Sequence, residues 1–310
     1  MRGFLIRHWP RVYHFKLLTL LVLTSAFGCA DPDPSARLRE QIASELSQVR
    51  GTFAIAWKDL QTGESLLINA DTLFHAASTM KTPVMIEVFR QATTGKFDLT
   101  DSVTIKNEFY SIVDSSLYSL SVTEDSDTLL YQQIGLKKSI SDLVYDMIIV
   151  SSNLATNIII DLVDARNVTQ SMRNLGAENI EVLRGVEDIK AYNAGLSNRT
   201  TARDLLVIFE HLAKGDLIDS VANTRMMEIL FDQRFNDIIP ALLPDGIKVA
   251  HKTGSITGVH HDSGIVILPD RRRYVLVLLS KDLQDFGVGT AALARVSKHI
   301  YDFVINQDHR

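Results

Sequence analysis

Between residues 36 and 49 the apolar positions Leu38, Ile42, Leu46 and Val49 form one stripe at helical spacing. The period then changes. Thr52-Phe53-Ala54-Ile55-Ala56-Trp57 reads as a strand, Gln61-Thr62-Gly63-Glu64 as a turn and residues 65–69 as a returning strand, which predicts a hairpin. An alternating run follows and passes, at Ser78-Thr79-Met80-Lys81, into a helical pattern over residues 82–91. Residues 101–131 are polar, rich in Ser and Asp with several aromatics, and predict long connections with little regular structure. Ser139-Ile140-Ser141-Asp142 offers an N-cap for a helix through Val150. Residues 154–163 are almost continuously apolar, as in a helix buried between others. Residues 167–175 predict a short helix stopped by Gly176, and residues 178–198, without a sustained period, a long surface loop of the kind that often carries function. Helices are predicted at 200–213 and 217–230, strands at 247–251, 264–268 and 274–280 with a turn at Pro269-Asp270-Arg271-Arg272, and a closing amphipathic helix at 290–303.

This order predicts an α+β fold: an antiparallel sheet assembled from the N- and C-terminal strands with flanking helices, and an inserted all-helical subdomain. The α/β part takes about residues 36–97 and 199–310, and the helical part about 98–198. The chain of 310 residues is long enough for a substantial core, and its 46% apolar and 22% charged content is ordinary for a folded globular protein. A net charge of −5 argues against a nucleic-acid partner. Arg2, Arg7, Arg11 and Lys16 followed by the apolar run 17–27 read as an export signal, too short to span a bilayer. The single cysteine, Cys29, follows Ala26-Phe27-Gly28 and resembles a bacterial lipobox, so residues 1–29 are expected to be a signal segment. Two acyl chains on Cys29 would tether the domain, and residues 30–35 would form a Pro-rich linker to a catalytic domain at 36–310. Ordinary cleavage nearby would leave a free periplasmic protein instead. The body of the chain holds no thiol nucleophile, disulfide or Cys-based metal site.

Four stretches carry candidate chemistry. If Ser78 opens its helix, Lys81 lies one turn on and its amine reaches the Ser78 hydroxyl. A serine needs such a base to become a nucleophile, and a desolvated lysine can serve. In Ser151-Ser152-Asn153, Ser151 is placed to relay a proton to a leaving amine, and the Asn153 amide to hold a substrate carbonyl while bonding Lys81. Lys252-Thr253-Gly254, at the end of a predicted strand, offers an amine and a hydroxyl to a carboxylate, with Gly254 allowing close backbone approach. Glu187, in the 178–198 loop, is placed to activate a water, with Asp188 as its rival. Each stretch alone is also what a helix cap, a strand end or a solvated loop acid looks like.

In this order Ser-x-x-Lys, Ser-x-Asn, a loop Glu and Lys-Thr-Gly match one motif set, and the chain has one Ser-x-x-Lys and one Lys-Thr-Gly. From about Ala36 onward the sequence resembles the class A β-lactamase family of serine hydrolases. Residues 151–157, Ser-Ser-Asn-Leu-Ala-Thr-Asn, are similar to that family's Ser-Asp-Asn-Thr-Ala-x-Asn, and the separation of Asn153 from Glu187 is similar too. The resemblance implies a β-lactamase/transpeptidase-like fold, no metal and no cofactor, and acylation of Ser78 by a β-lactam. It implies Lys81, or Glu187 through a water, as acylation base, and Glu187 as the residue directing the deacylating water. It further implies an oxyanion hole at the Ser78 and Ser255 backbone N–H groups, Ser151 as proton shuttle, Asn153 on the side-chain amide, and Lys252 with Thr253 on the carboxylate. A monomer in the periplasm or cell envelope is expected.

The chain also departs from the pattern. Ser152 stands where the family usually has Asp, and Asn193 falls two residues later than the family's water-holding Asn. No arginine follows Gly254 where many relatives hold the substrate carboxylate, leaving Arg234 or His261 as substitutes, and Tyr110 or Tyr118 as a gate in a long 107–131 segment. Two rivals follow: a D-Ala-D-Ala peptidase or transpeptidase that β-lactams inhibit, and a lipid-anchored protein that keeps the fold without turnover.

Overall fold

In the computed structural model residues 34–306 are described, with positions 1, 3–5 and 8 of the leader. The apolar run 17–27, Cys29, and the linker as far as Asp33 lie outside the described residues. The described residues from Pro34 onward cluster as one compact unit.

Helix α1 (Pro34–Ser47) precedes β1 (Thr52–Asp59) and β2 (Ser65–Ile68), the predicted hairpin, with Ile55 opposite Ile68. The last strands are β9 (Lys248–Ile256), β10 (Val259–Ile267) and β11 (Arg273–Lys281), followed by α10 (Phe286–Asn306). The elements between them are β3 (Phe74–His75), α2 (Lys81–Thr93), β4 (Ser102–Thr104), β5 (Phe109–Tyr110), β6 (Leu117–Tyr118), α3 (Thr128–Tyr131) and β7 (Lys137–Ser139). Then come α4 (Ile140–Ile149), α5 (Asn153–Val163), α6 (Ala165–Asn174), α7 (Ile189–Asn193), β8 (Arg199–Thr200), α8 (Ala202–Lys214) and α9 (Ser220–Phe231).

The five-stranded sheet runs β2-β1-β11-β10-β9, antiparallel throughout, so the first long strand pairs directly with the last. Successive side chains on a strand face opposite ways, and both faces are buried. Phe53, Ile55 and Trp57 join Tyr274, Leu276 and Leu278 in a core closed by Leu38 and Ile42 of α1 and Leu293, Val296 and Ile300 of α10. Ala54, Ala56, Val275, Val277 and Leu279 face the larger core shared with α2, α4, α5, α6 and α8. The small alanines on β1 leave room on that side for the helices.

Helix α2 is buried on nearly every side from Lys81 to Phe89, at the centre of the helical part. Pro83 sits in its first turn, where an N–H has no intrahelical partner to lose. The expected N-cap of α4 is present: the Ser139 hydroxyl accepts the Asp142 N–H at 3.1 Å. The 178–198 stretch departs from a plain surface loop. It carries α7, a bridge from Glu181 to Arg199, and buried Arg184, Asp188 and Asn198.

Candidate active site

A short 3-10 turn (Ala77–Met80) joins β3 to α2 and puts Ser78 at its second position. Ala77 has a left-handed φ of 46°, costly for a residue with a Cβ, and its N–H donates to His75 Nδ1 at 3.0 Å. The turn leaves Ser78 half-buried at the mouth of a cleft while Thr79, Met80 and Lys81 are buried.

The Lys81 amine makes no hydrogen bond to the Ser78 hydroxyl, which the Ser-x-x-Lys spacing puts within its reach. It reaches across the cleft to the N-terminus of α5, donating to Ser151 O at 2.7 Å, Ser151 Oγ at 3.1 Å and Asn153 Oδ1 at 3.0 Å. Ser151 has a left-handed φ of 58°, which turns its hydroxyl and carbonyl to the same amine. Burial lowers the Lys81 pKa to about 7, against the opposing pull of Asp125 and Glu187.

Lys252-Thr253-Gly254 lies inside β9 rather than past its end, because the strand continues to Ile256 in register with β10, Thr253 facing Asp262. Lys252 Nζ donates to the same Ser151 Oγ at 3.1 Å and to Thr253 O at 2.9 Å. Burial first, then the nearby Lys81 amine, holds its pKa well below the ordinary lysine value. Gly254 is obligatory: a Cβ there would stand 2.9 Å from the backbone nitrogens of Ser78 and Thr79. The edge strand thus runs along the nucleophile's own backbone.

Glu187 enters from the 178–198 segment. Its Oε1 accepts from Asn153 Nδ2 at 3.1 Å and its Oε2 from the Ser121 N–H at 3.1 Å. Burial raises its pKa above the usual carboxylate range, partly offset by those two donors. Asp188 is no rival: it is buried, caps α7 and binds the 111–112 backbone and hydroxyl. Ser78, Asn153 and Ser255 line both halves of the cleft. One half, about 330 Å³, holds Glu187 and Tyr192, and the other, about 320 Å³, holds Ser151, Thr253, Phe235 and His260.

Other expectations change. His261 is buried with both nitrogens used: Nδ1 accepts the Ser280 N–H at 3.1 Å, so Nε2 donates to His75 O at 2.9 Å. Burial takes its pKa to about 4, so it offers no cation to a carboxylate. Arg234 is exposed and lines neither half of the cleft. Tyr110 and Tyr118 do not gate Ser78; they line a separate cavity behind the Glu187 loop. Asn193 is exposed on α7, and the Glu187 oxygens take Asn153 and Ser121 as donors instead.

Asp125 is the main residue that sequence reasoning misses. Its buried carboxylate accepts the N–H groups of Asn153 (2.9 Å) and Leu154 (2.9 Å) and the Tyr131 hydroxyl (3.0 Å), so a carboxylate holds the α5 N-terminus although Ser152 replaces the family's Asp. Ser152 itself caps α5, its hydroxyl accepting the Ala155 N–H at 3.3 Å. The only sequence signal for Asp125 is its place in the Asp/Ser-rich 101–131 segment. Among the described residues no group of three His, Cys, Asp or Glu side chains is arranged to hold a metal ion.

Sheet, helical body and the cleft between them define the β-lactamase/transpeptidase-like fold. The chain belongs to the β-lactamase enzyme family, whose model matches residues 37–304. Extended-spectrum β-lactamase PER-1 of Pseudomonas aeruginosa is 23% identical over 298 residues, covering 93% of each chain. Among solved structures, the β-lactamase of Sphaerobacter thermophilus is 26% identical with a TM-score of 0.73, over 86% of this chain and 96% of that one. PBP-A is 27% identical with a TM-score of 0.76, over 87% and 96%. A PBP-A mutant has been captured as an acyl-enzyme with penicillin G.

Proposed function

We propose that the protein is a class A-type serine β-lactamase. The observation that carries this reading is the convergence of two buried amines and one amide side chain on the Ser151–Asn153 turn, with Glu187 bonded to that same amide. Ser78 Oγ attacks the lactam carbonyl, and its proton passes to the Lys81 amine or, through a water, to Glu187. The backbone N–H groups of Ser78 and Ser255 receive the oxyanion; losing one such donor costs about 3 kcal/mol in the barrier. As the C–N bond breaks, Ser151 gives its proton to the lactam nitrogen. Both amines direct N–H groups at Ser151 Oγ, which leaves its own hydrogen free to point into the cleft. Of the three acceptors around Lys81 only this hydroxyl can also donate, so the proton lost to the substrate is returned from Lys81. Lys252 and Thr253 hold the substrate carboxylate, and Asn153 its side-chain amide. Glu187 then takes a proton from the water that attacks the Ser78 ester, freeing the acid product and restoring the serine. A carboxylate whose pKa burial raises is a stronger base for that step.

The likeness to PBP-A favours a second reading, a D-Ala-D-Ala peptidase that β-lactams acylate and block. Turnover of a chromogenic cephalosporin by the mature domain separates the two. The first reading expects multiple turnover, abolished in Ser78→Ala and stalled as an acyl-enzyme in Glu187→Gln. A wild-type protein that traps one equivalent and stops supports the second. Absence of any label on Ser78 overturns both. The reading includes export to the periplasm or cell envelope as a monomer, with a lipid tether at Cys29.

A further inference from the structure

Glu187 has a left-handed φ of 61°, a conformation that a residue with a side chain keeps only when its surroundings impose it. Part of that constraint comes from α5. Asn157 Oδ1 accepts the Val186 N–H at 2.6 Å and Asn157 Nδ2 donates to Val186 O at 3.1 Å. Gly185 lies so close that a Cβ there would fall 2.3 Å from Asn157 Oδ1. The rest comes from the β5–β6 hairpin and the chain just after it. Tyr118 donates to Val186 O at 3.4 Å, and the Ser121 N–H to Glu187 Oε2. The Ser111 hydroxyl donates to Asp188 Oδ1 at 2.9 Å and the Ile112 N–H to Asp188 Oδ2 at 3.0 Å. Lys190 Nζ reaches Asp114 Oδ2 at 2.8 Å and Ser116 Oγ at 2.6 Å. The hairpin is itself anchored by buried Phe109, whose ring packs on Tyr118 at 5.9 Å. Lys81 and Lys252 both hydrogen-bond Ser151, and none of the three bonds the hairpin.

We propose that the β5–β6 hairpin is a clamp that positions the Glu187 carboxylate through Asp188, and that it governs release of the acyl group while leaving its formation alone. The proposal rests on the reading of Glu187 as the base of deacylation and of Lys81 as the base of acylation. Asp188 is a positioning residue: its carboxylate fixes the backbone directly after Glu187 between the hairpin and the first turn of α7. In Asp188→Asn one oxygen becomes a donor facing an N–H, of Ile112 or of Ala191, and the grip loosens.

The test measures acylation and deacylation separately with a chromogenic cephalosporin, together with amide hydrogen exchange of residues 186–191 in the free protein. Asp188→Asn is expected to slow deacylation by up to about 10²-fold, and Ser111→Ala by several-fold, with acylation within about twofold of wild type. Exchange at 186–191 should rise in both. In a Glu187→Gln background neither change should slow the residual deacylation further. Parallel loss of both steps, unchanged deacylation despite faster exchange, or a loss that persists beside Glu187→Gln overturns the clamp. Equal deacylation by Glu187→Gln and wild type overturns the underlying reading and the catalytic role with it, while exchange still reports whether the hairpin holds the loop.

Discussion

Two lysine amines meet on one serine hydroxyl, an arrangement whose energetics are exposed to pH. Lys81 has a pKa of about 7 in the fold against 10.5 for the free side chain, chiefly through burial. Between those values the unfolded chain binds more protons than the folded one, so the Lys81 contribution makes stability rise with pH. Below about 7 the penalty is present in full, and it is gone above 10.5. Each pH unit inside that window is worth up to about 1.4 kcal/mol, or some 2–4 °C in Tm per kcal/mol for a domain of this size. Raising the pH from 7 to 9 should therefore lift the wild-type Tm relative to Lys81→Met, as followed by scanning calorimetry in matched buffers. A Tm difference that stays flat would place the Lys81 pKa outside this window. The same titration should appear in catalysis: acylation measured by stopped flow rises through about pH 7 as the Lys81 amine loses its proton. Deacylation falls on the acid side with a midpoint above the ordinary carboxylate range, as burial of Glu187 requires.

At the scale of elements, the site is built where helix and strand termini converge, and the N-terminus of α5 is the common support. It presents Ser151 and Asn153 to Lys81, and the carboxylate that secures it belongs to Asp125, 28 residues away in sequence. Asp125→Ala would leave the buried Leu154 N–H and the Asn153 N–H without their acceptor. The expected loss is about 3 kcal/mol of stability in urea titration, combining two orphaned donors with a lost charge–dipole contact. Acylation should fall as well, because Ser151 and Asn153 shift with the turn; unchanged stability and acylation would remove Asp125 from the support. This contact also marks where sequence reading stops. Ser139 reads as a cap because capping chemistry is local, and the helices at 140–149, 153–163 and 202–214 are legible because each is a long apolar or amphipathic run. The motif residues were visible because their types and order are unusual together. Asp125, Ser111 and Ser121 act across long sequence separations through single hydrogen bonds, which leave no period. Strand β9 reads as ending at His251 because Lys252-Thr253-Gly254 looks like polar turn material, although pairing with β10 holds it extended. His261 looked like a cation by residue type, and only burial reveals it as a neutral donor to His75.

At the scale of the whole molecule, β1 pairs with β11, so both ends of the chain meet in the sheet whose edge strand carries Lys252 beside the Ser78 turn. Among the described residues no helix is long and apolar enough to cross a membrane. The chain's net charge of −5 gives no electrostatic attraction to an anionic bilayer. In the proposed reading, attachment to a membrane comes from the lipid on Cys29, where two or more acyl chains hold far more firmly than one. From Cys29 to Pro34, where α1 begins, five residues of chain reach at most about 18 Å when fully extended. A lipid at Cys29 would thus hold the domain close to the membrane surface. Expressed in a host that lipidates such signals, the wild-type protein should sediment with membranes and stay there in 1 M salt, since a hydrophobic anchor is not screened. Cys29→Ser should move it to the soluble fraction with Ser78 acylation rates unchanged, because the lipid takes no part in the cleft. A Cys29→Ser protein that still sediments, or a wild-type protein that salt releases, would show that something other than the Cys29 lipid holds it.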